Sequence, residues 1–427
     1  MSQKKKIKVG IGFATGRKSF QKVLKTNVYN WKECGLTENE DVSISLFVAY
    51  DLKYSNTKST CFTGIRNDLL ELIDKVYFIG RGVLRNESAD LIRQGVISEK
   101  EAELFFGSGY AARRNAILYE AVKNGIDYLV FLDDDEYPIA VTNTRLSAVW
   151  GGQPILATHL NYIRQADITN GYHCGYVSPI PNIRFNDVLT EDDFRTFIGA
   201  ISNDIINWDS IRAVMENGGV TYADTQILID RTAREVQEIN HAKFITGANL
   251  CINLTDPDRV FPFYNPPGAR GEDTFLSTCL SQRKVLRVPC YAFHDGFSTY
   301  SHLMDGVLPT KLKRIEADSE KVEARFYNAC VGWVRYKPLL LYITRRDSYE
   351  QDILDIESRL NATLPKLCAY FGSSKFMNLL PELKSYHNNV KKHYNQFLET
   401  QRIWAKLVEN VKENGKEDIR EPEIACL

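Results

Sequence analysis

Three aspartates and a glutamate stand in a row at Asp133-Asp134-Asp135-Glu136, directly after the apolar run Tyr128-Leu129-Val130-Phe131-Leu132. An apolar run this short reads as a buried strand of an α/β sheet. Ligands of such sheets sit just past the carboxyl ends of the strands. Carboxylates crowded there repel one another unless a cation holds them together. Mg²⁺ and Mn²⁺ take oxygen ligands, and Mg²⁺ is often shared between one or two carboxylates and substrate phosphates. The expectation is a metal–diphosphate site at this strand end. The plain alternative is a solvated acidic loop or a calcium loop.

Other residues have the types and places to take part. Gly271-Glu272-Asp273-Thr274 follows the breaker-rich Asn265-Pro266-Pro267-Gly268-Ala269-Arg270 and precedes Phe275-Leu276. Acids here would cap a helix and meet its dipole. The same placement suits a general base aimed at a hydroxyl nucleophile. His294 lies just past a strand-like run, on the ligand side, and imidazole suits Mn²⁺; a lone histidine is more often structural. His302 competes with it, ahead of His159 and His173. Thr15-Gly16-Arg17 and Asp51 close the first two strands, where a base and ribose would lie. There is no Walker A lysine motif and no G-x-G-x-x-G turn, which leaves phosphates to be gripped through a metal.

The elements that must position these residues follow from periodicity. Ile7, Val9, Ile11 and Phe13 alternate as a first strand, and Phe20 to Trp31 recur at helical spacing. Val42 to Val48 is a second strand, Arg66 to Ile73 a short helix, and Val76 to Ile79 a third strand. Gly80 to Gly109 is a long excursion, partly helical. Ala111 to Asn124 is a helix stopped by Asn124-Gly125. Strands alternating with helices predict a parallel, doubly wound half-domain. Beyond Pro138, Ile155 to Ile163 reads as a strand, and Arg164 to Asn186, with Gly171, Gly175, Pro179 and Pro181, as hairpin or loop. Phe244 to Leu254 reads as a strand, Thr274 to Gln282 as a helix and Val285 to Phe293 as a strand. After Leu308-Pro309 the pattern is helical, with Pro365 opening a further helix. Tyr162, Tyr172 and Tyr176, with Asn161, Asn170 and His173, form either a sugar-binding surface or an ordinary packed loop.

Composition narrows the class. The chain has 427 residues, 44% hydrophobic and 25% charged, with a formal net charge of −1. No global field favours nucleic acid. Nine cysteines without a C-x-x-C pair argue against a zinc cage or a secreted disulfide framework, and fit reduced core residues in a cytoplasmic protein. Met1 to Phe13 lacks the apolar core of a signal peptide. No apolar run reaches membrane-spanning length, so any membrane contact would be peripheral.

Taken together, these residues resemble the GT-A nucleotide-sugar glycosyltransferases, closest to the family 2 type, over about Lys6 to Ser301. In family order they are Arg113-Arg114-Asn115 before the strand with Asp133-x-Asp135, then Thr246-Gly247-Ala248-Asn249 followed by Gly271-Glu272-Asp273, then His294-Asp295. The resemblance implies a GT-A α/β catalytic domain over 1–306, with a nucleotide-sugar half to about 138 and an acceptor half over 139–306. A helical C-terminal domain over 307–412 and a tail over 413–427 would follow. It implies transfer of a sugar from a UDP- or GDP-type donor to an acceptor hydroxyl with Mn²⁺ or Mg²⁺, the acceptor attacking from the face opposite the leaving group and so inverting the anomeric carbon. Asp135 would bind the metal, Asp133 the ribose or the metal through water, and His294 would be a third ligand. Asp273 would be the base and Glu272 would orient the acceptor. Thr15, Arg17, Asp51, Asn115 and Asp134 would line the nucleotide pocket. The Q-x-x-R-W motif of polymerising members is absent after Ser281-Gln282-Arg283, which favours single transfer. Competing classes are a sugar-phosphate nucleotidyltransferase and a non-catalytic sugar- or metal-binding protein. The C-terminal helices have three roles open to them: packing on the catalytic domain, binding an acceptor or partner, and forming a homo-oligomer.

Overall fold

The computed structural model describes residues 6–144, 146–203, 208–300 and 306–417. The first half alternates strand and helix as the periodicity predicts. It comprises β1 (Ile7–Thr15), α1 (Phe20–Glu33), β2 (Val42–Tyr50), the short α2 (Thr60–Thr63) and α3 (Asn67–Leu70), and β3 (Lys75–Ile79). The excursion is two helices, α4 (Arg81–Arg93) and α5 (Glu99–Phe106), the latter opened by a Ser98–Glu101 capping box. Then come α6 (Tyr110–Lys123) and β4 (Tyr128–Phe131). β1 pairs in parallel with both β2 and β4, and β2 with β3.

Past the acids the chain makes β5 (Glu136–Tyr137) and a hairpin, β6 (Ile139–Asn143) with β7 (Ala148–Gly152). α7 (Ile155–Tyr162), β8 (Ile168–Gly175), α8 (Glu191–Ile201), α9 (Trp208–Glu216), α10 (Thr225–Asp230), β9 (Arg234–Glu235), β10 (Leu250–Asn253), α11 (Glu272–Ser277) and β11 (Val285–His294) follow. The nine-stranded sheet runs β3-β2-β1-β4-β10-β8-β11-β5, with β9 on β11. It is mixed: β10 lies antiparallel between β4 and β8, while β11 is parallel to β8. The chain is therefore α/β with a mixed sheet, and it ends in helices α12 (Glu320–Thr344), α13 (Tyr349–Phe371), α14 (Leu379–Asn388) and α15 (Val390–Glu417). Residues 418–427 of the expected tail lie outside the described residues, whereas 413–417 continue α15.

Four readings of local structure change. Ile155 to Tyr162 is a helix, not a strand, because Ile155, Leu156 and His159 fall on one helical face and are buried together. Arg164 to Asn186 holds an interior strand, β8. Its Gly171 does not break the strand; it admits the Asn249 amide, which a Cβ would strike. Phe244 to Leu254 is extended only from Leu250, since Asn249 sits at φ +48°. Pro365 lies inside α13 rather than at its start.

Two apolar cores flank the sheet. One includes Val9, Ile11, Phe20 and Trp31; the other includes Ile117, Phe131, Phe105 and, from α15, Trp404 and Leu407. A third core joins α8 and α9 to the C-terminal helices through Phe194, Phe197, Phe326 and Leu360, and reaches Phe275 of α11. Among the described residues no helix is long and apolar enough to cross a membrane. Of the nine cysteines, the eight described are free thiols, and Cys426 lies outside the described residues.

Candidate functional site

The carboxyl ends of β1, β2 and β4 open into a cleft of about 510 Å³. Thr15 and Arg17 enter from the loop after β1, Asp51 and Tyr54 from the loop after β2, and the acidic run from the end of β4. Because β10 runs antiparallel beside β4, its starting end, with Gly247, comes to the same edge as the end of β4. Gly247 N donates to Asp273 Oδ2 at 3.1 Å, which brings the start of α11 to the acids. β11 pairs antiparallel with β5, setting His294 opposite Glu136.

The four acids go four ways. Asp133 accepts from Tyr110 Oη at 2.8 Å and from Arg114 Nη2 at 3.1 Å. Asp134 accepts from Thr15 Oγ1 at 2.6 Å and from Arg17 Nη1 at 3.2 Å. Asp135 is in contact with Arg17 and lies 3.5 Å from His294 Nε2. Glu136 turns away, 3.1 Å from His173.

These contacts set the charges. Burial pushes Asp133 up to about 6 against the pull of Arg114. Burial also raises Asp134, with Arg17 opposing. For Asp135 burial is outweighed by His294 and Arg17, which hold the carboxyl well below the usual range. Burial would lower His294, but Asp135 and Glu136 overcome it and push the imidazole up to about 9.

Across the cleft, Asp273 Oδ1 accepts from Thr274 N at 2.8 Å, so both its oxygens are oriented by main-chain N–H groups. Burial raises its pKa, opposed by Arg114. Burial and Asp273 push Glu272 up to about 7. Glu272 lies 3.5 Å from Arg114 Nε. Arg114 itself is 2% exposed at the side chain, donates to Gly247 O, and lies against the rings of Tyr110, Phe131 and Phe263.

The structure brings together Thr15, Arg17, Asp51, Asp133, Asp134, Asp135, Glu272, Asp273 and His294. It does not bring Asn115 with them. Both ends of that amide are spent on Phe263, to O at 2.9 Å and from N at 2.7 Å, so Asn115 ties α6 to a loop instead of lining the cleft. His302 lies outside the described residues. His159 is buried between Thr169 and Asn249, and the tyrosines offered as a sugar surface pack on protein: Tyr172 on Tyr291, Tyr176 on Tyr300.

Sequence reasoning missed Tyr54, Tyr110, Arg113 and Arg270 as cleft residues, and Arg114 as the buried cation behind Asp133 and Glu272. Arg113 ion-pairs with Asp51 at 3.2 Å. The Arg113-Arg114 pair stood in the sequence at a helix start, and helix periodicity would have put Arg114 on the buried face with Ile117 and Leu118. A buried arginine needs acidic partners, and that was the available signal.

The residues fit a divalent cation in part. His294 Nδ1 donates to Tyr176 O at 2.6 Å, which leaves Nε2 facing Asp135, the orientation common among metal-ligating histidines. Asp133 does not join them, because Tyr110 and Arg114 hold it. Among the described residues no three His, Cys, Asp or Glu side chains converge on one ion position. Asp135 and His294 would hold an ion only with phosphate oxygens and water in the remaining positions.

No protein-family model matches the chain, and no curated protein matches it significantly.

Proposed function

We propose that this protein is a glycosyltransferase of the GT-A type, similar to family 2, that moves a sugar from a nucleoside-diphosphate donor to an acceptor hydroxyl in a single transfer. The observation that carries the reading is the meeting of Asp135 and His294 with Glu272 and Asp273 in one cleft, at the carboxyl end of β4. These pairs come from segments far apart in sequence, in the order the resemblance requires.

When bound between Asp135, His294 and the donor's phosphates, Mn²⁺ or Mg²⁺ would neutralise the charge of the leaving diphosphate. The chain's own residues do the rest. Thr15, Arg17 and Asp51 bind the nucleotide end, and Tyr54 adds an exposed ring at the mouth. Asp273 takes the proton from the acceptor oxygen as it attacks the anomeric carbon, and the bond to the diphosphate oxygen breaks. Gly247 N and Thr274 N fix the direction of that carboxylate. Glu272, next to it, orients the acceptor. Burial raises Asp273 and, with Asp273 beside it, pushes Glu272 up to about 7, so the pair binds a proton more readily than exposed carboxylates do, as a proton acceptor must.

The test is a panel of UDP-, GDP- and dTDP-sugars with Mn²⁺. Nucleoside diphosphate and a glycosylated acceptor are the expected products. Release of pyrophosphate would assign a nucleotidyltransferase, and binding without turnover a sugar-binding module. Asp273→Asn is expected to lose transfer by about 10²-fold or more with nucleotide affinity kept; transfer at the original rate would reject Asp273 as the base.

A further inference from the structure

The C-terminal helices carry no motif of their own, yet one of their side chains comes up beside His294, a residue of the cleft. Arg325, near the start of α12, lies over the Phe297 ring, 4.2 Å from its centroid. A Cβ at Gly296 would strike both Arg325 Nη2 and the His294 ring, so guanidinium and imidazole flank that glycine. Arg270, from the loop before α11, lines the cleft with His294 and is near enough to act on the charge of Arg325.

Charge matching singles these two out. Arg17 is engaged by Asp134 and Asp135, Arg113 by Asp51, and Arg114 by Asp133 and Glu272. Arg270 and Arg325 have neither a hydrogen bond nor an ion pair among the described residues. The groups acting on Arg325 from the elements packed around it are Asp135, Arg17, Arg270 and Tyr54, and all four line the cleft. Burial lowers its pKa, Asp135 opposes, and Arg17 and Arg270 lower it further. Arg325 is half-buried, has no ion-pair partner of its own among the described residues, and feels Arg17 and Arg270 as like charges, a setting that an anion relieves.

We propose that Arg270 and Arg325 form a two-pronged clamp for the diphosphate, so that the C-terminal helices supply part of the substrate site. The identity of the anion rests on the donor reading above; the clamp itself rests on the unpaired guanidinium groups. Two planar forks present paired N–H donors that match phosphate oxygens, as ammonium groups do not. The cleft then holds the donor between the sheet and α12, with the nucleoside toward Asp51 and the phosphates toward His294.

The experiment is calorimetric titration of the full chain with inorganic pyrophosphate and Mg²⁺ at low salt. Arg325→Gln and Arg270→Gln are each expected to weaken binding about tenfold or more. Arg325→Lys should recover only part of the loss, and Arg93→Gln, a distant surface change, should have no effect. The clamp is overturned if both Gln variants bind like the unaltered chain, if Arg93→Gln weakens binding equally, or if the unaltered chain does not bind pyrophosphate. Should Arg325→Gln fail to fold, the exposed Arg270 still decides the matter. A chain that binds pyrophosphate through these arginines but transfers no sugar keeps the clamp and removes the glycosyltransferase.

Discussion

Arg114 holds the floor of the cleft together. It joins the end of β4 through Asp133, the approach to β10 through Gly247 O, and the start of α11 through Glu272. Removing one member of a buried charged network leaves the others desolvated and unpaired. Arg114→Ala is expected to cost about 3–5 kcal/mol in urea unfolding, and an unchanged midpoint would show that Asp133 and Glu272 find other partners. His159 gives a prediction of another kind. Burial holds it below its ordinary value, down to about 4, against the pull of Asn249. The unfolded chain, with an ordinary histidine near 6.5, therefore binds the extra proton first. The stabilising contribution is complete above that value and is lost as pH falls toward 4, by about 3 kcal/mol. His159→Gln should flatten that part of the stability profile; an unaltered slope would clear His159 of the effect. At this scale the acids, Glu272-Asp273 and His294 were legible, because each stood at a predicted strand or helix end. Asn115 was misassigned, because a motif position does not reveal which way an amide faces.

At the scale of elements, β1 through β4 were readable from alternation and helical stripes, and so was the last strand before His294. What was hidden was hidden for physical reasons. α7 is short and apolar, so length and period could not separate helix from strand. β8 carries glycine for close approach, not for a turn. Pro365 resembled a helix start, yet α13 runs through it at an exposed position. A proline in a helix interior removes one main-chain hydrogen bond and crowds the preceding turn, at about 3 kcal/mol. Pro365→Ala should accordingly raise the melting temperature. A lower melting temperature would mean that α13 has adapted to the ring.

For the whole molecule, the C-terminal helices are part of the body. α15 packs Trp404 against Phe105, with ring centroids 6.3 Å apart and the planes stacked. α12 and α13 share a core with α8. The boundary near 306 thus separates two kinds of sequence pattern but not two independent cores. Urea unfolding followed by fluorescence and by far-UV dichroism should give one coincident transition. Two separated transitions would restore the helices as an autonomous unit. No signal in the sequence announced this, since contacts between residues about 300 positions apart leave no local period.

That long reach has a temporal side. Lys406 of α15 meets Glu101 of α5 across 305 residues. At a ribosomal rate of about 5–20 residues per second, Phe105 emerges roughly a quarter of a minute to a minute before the indole that covers it. Until then its apolar face is open to wrong partners, so the newborn N-terminal half is the stage at which this chain would most depend on a chaperone.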